Sequence, residues 1–289
     1  MKKKKYLGLL IFLIMVICSI SNCKATSSNT YDDYIQKNLV PSFGIAKTGK
    51  MKTNIGYDLS GWCKTKGIVS AYTRDFNGDK KKECIVLYIE EDGTLYGEKA
   101  PIKALHLAVL SKRNGKIVET DEIMIESGID RNDCRDLQLF VKNYQKNLYL
   151  VMQSKESINI GGTYFLIMSI NRKGKIIINK GIFDLAEGGG YYWAHIGRTS
   201  GSDYENGKYQ KKTLYEVGDF QAPENADTIC KNIVRKQLSK YGLKLTNNYG
   251  KYTLKTSGMK KILKIKENHK YMSNSTFAVY KIIDYTNFG

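Results

Sequence analysis

Asp75, Asn77, Asp79 and Glu83 stand at the first, third, fifth and ninth positions of the stretch "DFNGDKKKE". Side-chain oxygens at alternating positions of a short loop are a calcium donor set. The ion takes about six to eight hard oxygens, and the backbone carbonyl of Lys81 falls at the seventh position. The same residues also suit an Asx turn, in which Asp and Asn side chains accept amide hydrogens and close a tight strand connection. Arg74, Lys80, Lys81 and Lys82 crowd the three carboxylates, which weakens attraction for a cation. On either reading the role is structural, since no base or nucleophile stands beside the loop in sequence.

A second group lies in "DLAEGGGYYW". Asp184 and Glu187 are close enough in sequence to form the acid and base of a glycan hydrolase. Tyr191, Tyr192 and Trp193 after the glycine run offer rings for stacking on a sugar or a partner protein, or for anchoring the loop to a core. Other motifs carry less. Ser257-x-x-Lys260 follows Lys47-Thr48-Gly49, the reverse of the order used by serine acyl enzymes. Cys230, with His195 upstream, falls on an apolar helical stripe and reads as a core thiol. The three histidines are too scattered for a zinc motif.

The chain opens with Lys2–Lys5 and an apolar run from Leu7 to Ile20, the charge and length of an export signal and short of a membrane span. Residues Ile20-Ser21-Asn22-Cys23 resemble the lipobox of bacterial lipoproteins. That resemblance implies lipidation of Cys23, residues 1–22 as signal peptide and 23–30 as a tether. Cleavage after Ala25 and retention as a signal anchor are the alternatives. All three place the body outside the cytoplasm. The loop at 75–83 and the "IVLYI" after it resemble the Asp-rich loops of FG-GAP and VCBS-type repeats, with Lys80 for the second glycine and Glu83 for aspartate. That resemblance implies an extracellular β-structure holding one calcium ion.

Loss of residues 1–22 removes four lysines and lowers the net charge from +18 to +14. Between Lys231 and Lys270 there are twelve basic residues against one acid, Glu267. A surface of one sign attracts polyanions and is screened by salt. Outside a cell these are anionic wall polymer, lipid headgroups and shed nucleic acid; intracellular nucleic acid is not expected. Cys63, Cys84, Cys134 and Cys230 form two disulfides or remain buried thiols.

Helical spacing in "YDDYIQKNL" predicts a helix ended by Pro41, and Ile229, Ile233, Val234, Leu238 and Tyr241 line a second one stopped by Gly242. Strands dominate from Gly67, with a hairpin at Asn114-Gly115. Three segments then recur: "NLYLVMQS" for "CIVLYIEE", "TYFLIMSI" for "LHLAVLSK", and "KGKIIINKGIF" for "NGKIVETDEIM". The repeat is roughly 60 residues long, and its second copy lacks the Asp loop. Two copies cannot close a propeller ring. The expected fold is therefore β-rich α+β, with antiparallel sheets from a degenerate repeat, propeller- or sandwich-like. The expected domains are a β-rich body over 31–221 and a small basic α/β lobe over 222–289, with Tyr191 inside a long irregular connection. The expected role is non-catalytic binding of an anionic surface polymer, glycan or surface protein by an exported, membrane-anchored protein. The alternative is an extracellular glycan hydrolase using Asp184 or Glu187.

Overall fold

The computed structural model describes residues 30–46, 50–54, 66–92, 102–126, 134–156, 162–185, 191–196, 212–218, 222–246, 253–269 and 274–279. The export signal, Cys23, Cys63 and Glu187 lie outside the described residues. Among the described residues no helix is long and apolar enough to cross a membrane.

The first element, α1, runs through Tyr31–Tyr34, Ile35–Leu39 and Val40–Phe43. Thr30 caps it by accepting from the Asp33 amide at 3.1 Å. Pro41 does not end this helix as expected. The turn over Ile35–Leu39 widens to a π turn, with the Val40 amide reaching back to the Ile35 carbonyl. Widening relieves the clash between a proline ring and the carbonyl four residues back. The helix ends at Gly44, whose φ is +73°.

Two antiparallel sheets follow. The first is the meander β2 (Gly67–Arg74), β3 (Glu83–Asp92), β4 (Ile102–Arg113) and β5 (Lys116–Glu126). The second is built on the meander β6 (Cys134–Tyr144), β7 (Asn147–Glu156), β8 (Gly162–Ile170) and β9 (Ile176–Leu185). It continues through β10 (Tyr191–Ile196) and β11 (Lys212–Gly218). On its other side β6 pairs with β12 (Met259–His269), then come β13 (Asn274–Val279) and β1 (Lys50–Asn54). The nine strands are thus ordered β1-β13-β12-β6-β7-β8-β9-β10-β11. Two expectations change here. The stretch after the glycine run is strand β10, because its backbone pairs on both sides, with β9 and β11. The basic C-terminal stretch does not stand apart, because β12 enters the sheet beside β6.

The two meanders match in detail. Each has a bulge in its third hairpin, which leaves Thr120 unpaired in one and Asn179 in the other. Each bulge residue touches a serine: Thr120 Oγ1 lies 3.3 Å from Ser111 Oγ, and Asn179 Nδ2 donates to Ser169 Oγ at 2.8 Å. Burial shows how the sheets are stacked. Ala71, Cys84, Leu110 and Ile117 face outward under α1. Their counterparts by hairpin position, Val141, Leu148, Met168 and Ile176, face the core between the sheets. The back of one sheet therefore lies on the front of the next in the same orientation. Val69, Leu87, Leu107 and Val109 meet Leu139, Leu150, Leu166 and Met168 in that core.

The outermost faces are closed by helices. Ile35 and Leu39 of α1 cover Ile68, Val86 and Leu110. Val234 and Leu238 of α2 (Ala226–Ser239) cover Val151, Phe165, Ile167 and Ile182. Cys230, Val234 and Leu238 are buried along α2, while Ile229 and Ile233 are only half-buried. Cys84 and Cys230 are buried and reduced.

Between the sheets the turn of β8–β9 presses on the bulge of β5. The Gly174 carbonyl lies 2.9 Å from Thr120 Oγ1, and the Ile176 amide donates to Asp121 Oδ2 at 2.7 Å. A Cβ on Gly174, whose φ is +70°, would stand 2.4 Å from Thr120 Oγ1. Gly78 has a similar φ of +73° with nothing near a Cβ. Gly78→Ala should therefore cost only the backbone strain, about 1 kcal/mol, and Gly174→Ala about 3 kcal/mol by urea denaturation, because packing strain is added.

Candidate functional site

The loop joining β2 to β3 closes through its own side chains. Gly78 and Lys80 amides donate to the two oxygens of Asp75 at 2.7 and 3.0 Å. The Asp79 amide donates to Asn77 Oδ1 at 2.9 Å, and the Lys81 amide to Asp79 Oδ1 at 2.8 Å. These are successive Asx turns. Lys80 takes a φ of +69°, at the sixth position, where calcium loops use glycine for the sharp turn.

Glu83 is turned inward and is 3% exposed. Its Oε2 accepts from the Phe76 amide and its Oε1 from Asn77 Nδ2, both at 2.9 Å. Burial pushes its carboxyl above the usual range, the Phe76 amide opposes this, and Asp79 and Asp75 add to the rise. Phe76, held by that bond, enters the core between the sheets. The loop thereby reaches from its own sheet onto the second.

With Glu83 turned inward, the donor set expected from the sequence reduces to Asp75, Asn77, Asp79 and the Lys81 carbonyl, and the three side chains already accept the loop's own amides. Among the described residues no three His, Cys, Asp or Glu side chains gather as a metal-holding group. Asp75 and Asp79 are the two carboxylates that remain in this set, and charge count sets calcium affinity in loops of this kind.

Tyr31 of α1 braces the loop's exit, its hydroxyl donating to the Lys82 carbonyl at 2.5 Å. Burial pushes this phenol up to about 12, with Cys84 and Glu83 adding to the shift, and burial pushes the neighbouring Cys84 thiol to about 12 as well.

The other sequence-derived positions are not brought to this loop. Tyr191, Tyr192 and Trp193 lie on β10, their backbones opposite Gly218, Val217 and Glu216. Asp184 lies on β9 opposite Ala194. Glu187, the other carboxylate of the expected hydrolase pair, lies outside the described residues. Sequence reasoning missed a pair on the outer face of the first sheet. His106 stacks on Tyr88 at 5.2 Å with its Nδ1 2.5 Å from Glu122 Oε1. Its Nε2 is buried without a partner, so it offers no nitrogen to a solute.

Among the described residues, several basic residues of 231–270 lie on the side covered by α2. Lys236, Lys240, Lys244 and Lys255 are exposed. Lys142, Lys261 and Lys264 occupy strand positions on the opposite side of the sheet from Leu139, Val141 and Leu263, and Lys261 sits over the Phe140 ring at 5.4 Å. Compared with family models, curated proteins and solved structures, the chain matches none.

A phenol or thiol raised in the folded state adds stability below its unfolded value, and that stability is lost as pH climbs to the folded value. Cys84 and Tyr31 start from 9.0 and 10.0. The urea midpoint should therefore fall above pH 9.0, and Tyr31→Phe should flatten the part of the decline above pH 10.0.

Proposed function

We propose that this is an exported protein, lipid-anchored through Cys23, that binds an anionic polymer of the cell surface without catalysis. The observation that carries this reading is the lysine-rich surface around α2 and β12. Lys236, Lys240, Lys244 and Lys255 are exposed and Lys261 and Lys264 half-buried, while Asp227 of α2 lies 4.0 Å from the buried Lys231. Attraction of this kind is long-ranged, tolerant of sequence in the ligand, and weakened by salt.

In this reading the layer order favours one polyanion. The tether enters at Thr30, on the α1 side. Layers about 10 Å apart put the α2 side about 30 Å further out. Lysines there face away from the anchoring membrane and toward wall polymer, so headgroups of the same membrane are the poorer ligand.

In this reading the two meanders are successive propeller-type blades of a degenerate repeat, with α1 and α2 closing the ends of the stack. The back-to-front stacking, the matched bulges and the Asp loop between the first two strands of one unit support it. Calcium on Asp75, Asn77, Asp79 and the Lys81 carbonyl would screen the loop's carboxylates from one another and perform no chemistry on a ligand.

Two measurements test this. Retention on purified anionic wall polymer should fall steeply with salt, and drop about tenfold when Lys236, Lys240, Lys244 and Lys255 are replaced by Gln. Retention insensitive to both would overturn the reading. Several millimolar calcium should raise Tm by about 2 °C over chelator, as expected for a millimolar site. Asp79→Ala should abolish that rise, and an unchanged Tm in the wild type would leave the loop as a polar turn alone.

A further inference from the structure

Where the Asp loop meets the second sheet there is a cavity of about 220 Å³. Phe76 and Asn77 form one wall. The turn and start of β7 (Lys146, Asn147, Leu148 and Tyr149), the end of β8 (Ser169 and Ile170) and the bulge residue Asn179 form the rest. We infer that this cavity is a binding subsite for a single polyol or sugar residue bearing one negative charge, one unit of the polymer bound by the lysine surface. The inference rests on the polymer-binding reading above.

The polar groups of the lining are half used, and the used half fixes the free half. Asn147 Nδ2 donates to the Tyr149 hydroxyl at 3.2 Å, which leaves Asn147 Oδ1 as an acceptor and the Tyr149 proton to give. Asn179 Nδ2 donates to Ser169 Oγ at 2.8 Å and to the Ile177 carbonyl at 3.3 Å. This leaves Asn179 Oδ1 as an acceptor and the Ser169 proton as a donor. Asn77 has no such freedom, since Glu83 and the Asp79 amide hold both ends of its side chain; it is a fixed wall. Two acceptors and two donors in a mainly polar lining suit vicinal hydroxyls. Fixing them in advance reduces the ordering cost of binding.

Charge narrows the class. Lys146 brings an ammonium group, and no carboxylate lines the cavity. A neutral sugar would leave that cation unused, and a cationic one would be repelled. The volume lies below the roughly 300–1,000 Å³ of sites for drug-sized ligands, so the cavity takes one residue and not an oligomer.

The comparison between the two meanders agrees. In the first, the bulge residue Thr120 and its serine are covered by the Gly174 turn of the second. In the second, the matching pair Asn179 and Ser169 carries no further sheet; the Tyr241 hydroxyl beyond α2 donates to the Asn179 carbonyl at 3.2 Å, and the pair also lines the cavity.

The test is side-chain amide NMR of the whole extracytoplasmic chain with glucuronate, glycerol 3-phosphate and glucose. Glucuronate or glycerol 3-phosphate should shift the Asn147 and Asn179 amide signals, and the stronger of the two identifies carboxylate or phosphate as the anion. Glucose should bind about fivefold more weakly, and Lys146→Gln should reduce the charged ligand to the same level, as loss of one charge-assisted hydrogen bond predicts. Lys146 is exposed in its turn, so this variant keeps the fold, with an unchanged Tm as the check. Equal binding of glucose, shifts that survive Lys146→Gln, or no shifts with any probe would each overturn the assignment. Retention on wall polymer that remains salt-sensitive in that last case separates failure of the cavity from failure of the lysine surface.

Discussion

The apolar layer between the sheets sets the terms for every other element. Because the sheets stack back to front, each presents one face to the other and turns its remaining face outward. That outer face is also apolar: Val86 and Leu110 on the first sheet, Phe165 and Ile167 on the second. Strands buried on both faces read as unbroken apolar runs, as in "CIVLYI" and "YFLIM", and not as alternation. Such a stack cannot end in water. It needs a cover at each end, and α1 and α2 supply those covers with one apolar stripe each.

The Asp loop follows from the same constraint. A connection leaving the edge of the first sheet could have been as short as Gln145-Lys146, the turn that joins β6 to β7 with positive φ at both residues. The longer loop instead carries Phe76 into the inter-sheet core. That ring needs a rigid backbone behind it, and Glu83 supplies one by accepting from the Phe76 amide while also holding Asn77. An ionisable carboxyl at this depth is costly unless it is hydrogen-bonded. Here it takes two N–H groups that would otherwise lack partners.

Local chemistry was legible in the sequence, and long-range pairing was not. Asn114-Gly115 gave its hairpin, with both residues at positive φ. The stripe of α2 gave its buried face to within a residue, and the strand-rich stretch from Gly67 gave antiparallel sheets. The Asp loop lay between strands as its flanks implied. Three things were hidden. Pro41 reads as a stop, yet a π turn one step earlier removes the clash. Tyr191–Ile196 sits between glycine-rich stretches that mask a strand whose stability comes from neighbours on both sides. Lys260, Lys261, Lys264 and Lys266 make β12 look like a solvated surface, whereas Ile262 and Leu263 are core and Lys261 lies on Phe140. Nothing in the pattern of β12 names β6 as its partner, because apolar periodicity specifies a face and not a neighbour.

The two ends of the stack differ in charge, and this bears on where ligands can act. The outer face of the first sheet exposes Glu90, Glu119 and Glu122. Burial pushes Glu119 upward, and Glu122 and Asp121 add to that, as expected where like charges lie close together. The α2 end exposes lysines. In the proposed reading a polyanion is drawn to the α2 end, and a protein tethered at the α1 end would present that end outward. In that proposal the cavity lies at the ends of β7 and β8 beside the Asp loop, and a chain held by the lysines would set one residue against Lys146. Affinity from diffuse charge and selectivity from a small hydrogen-bonding pocket are separable in that arrangement. Salt acts on the first far more than on the second.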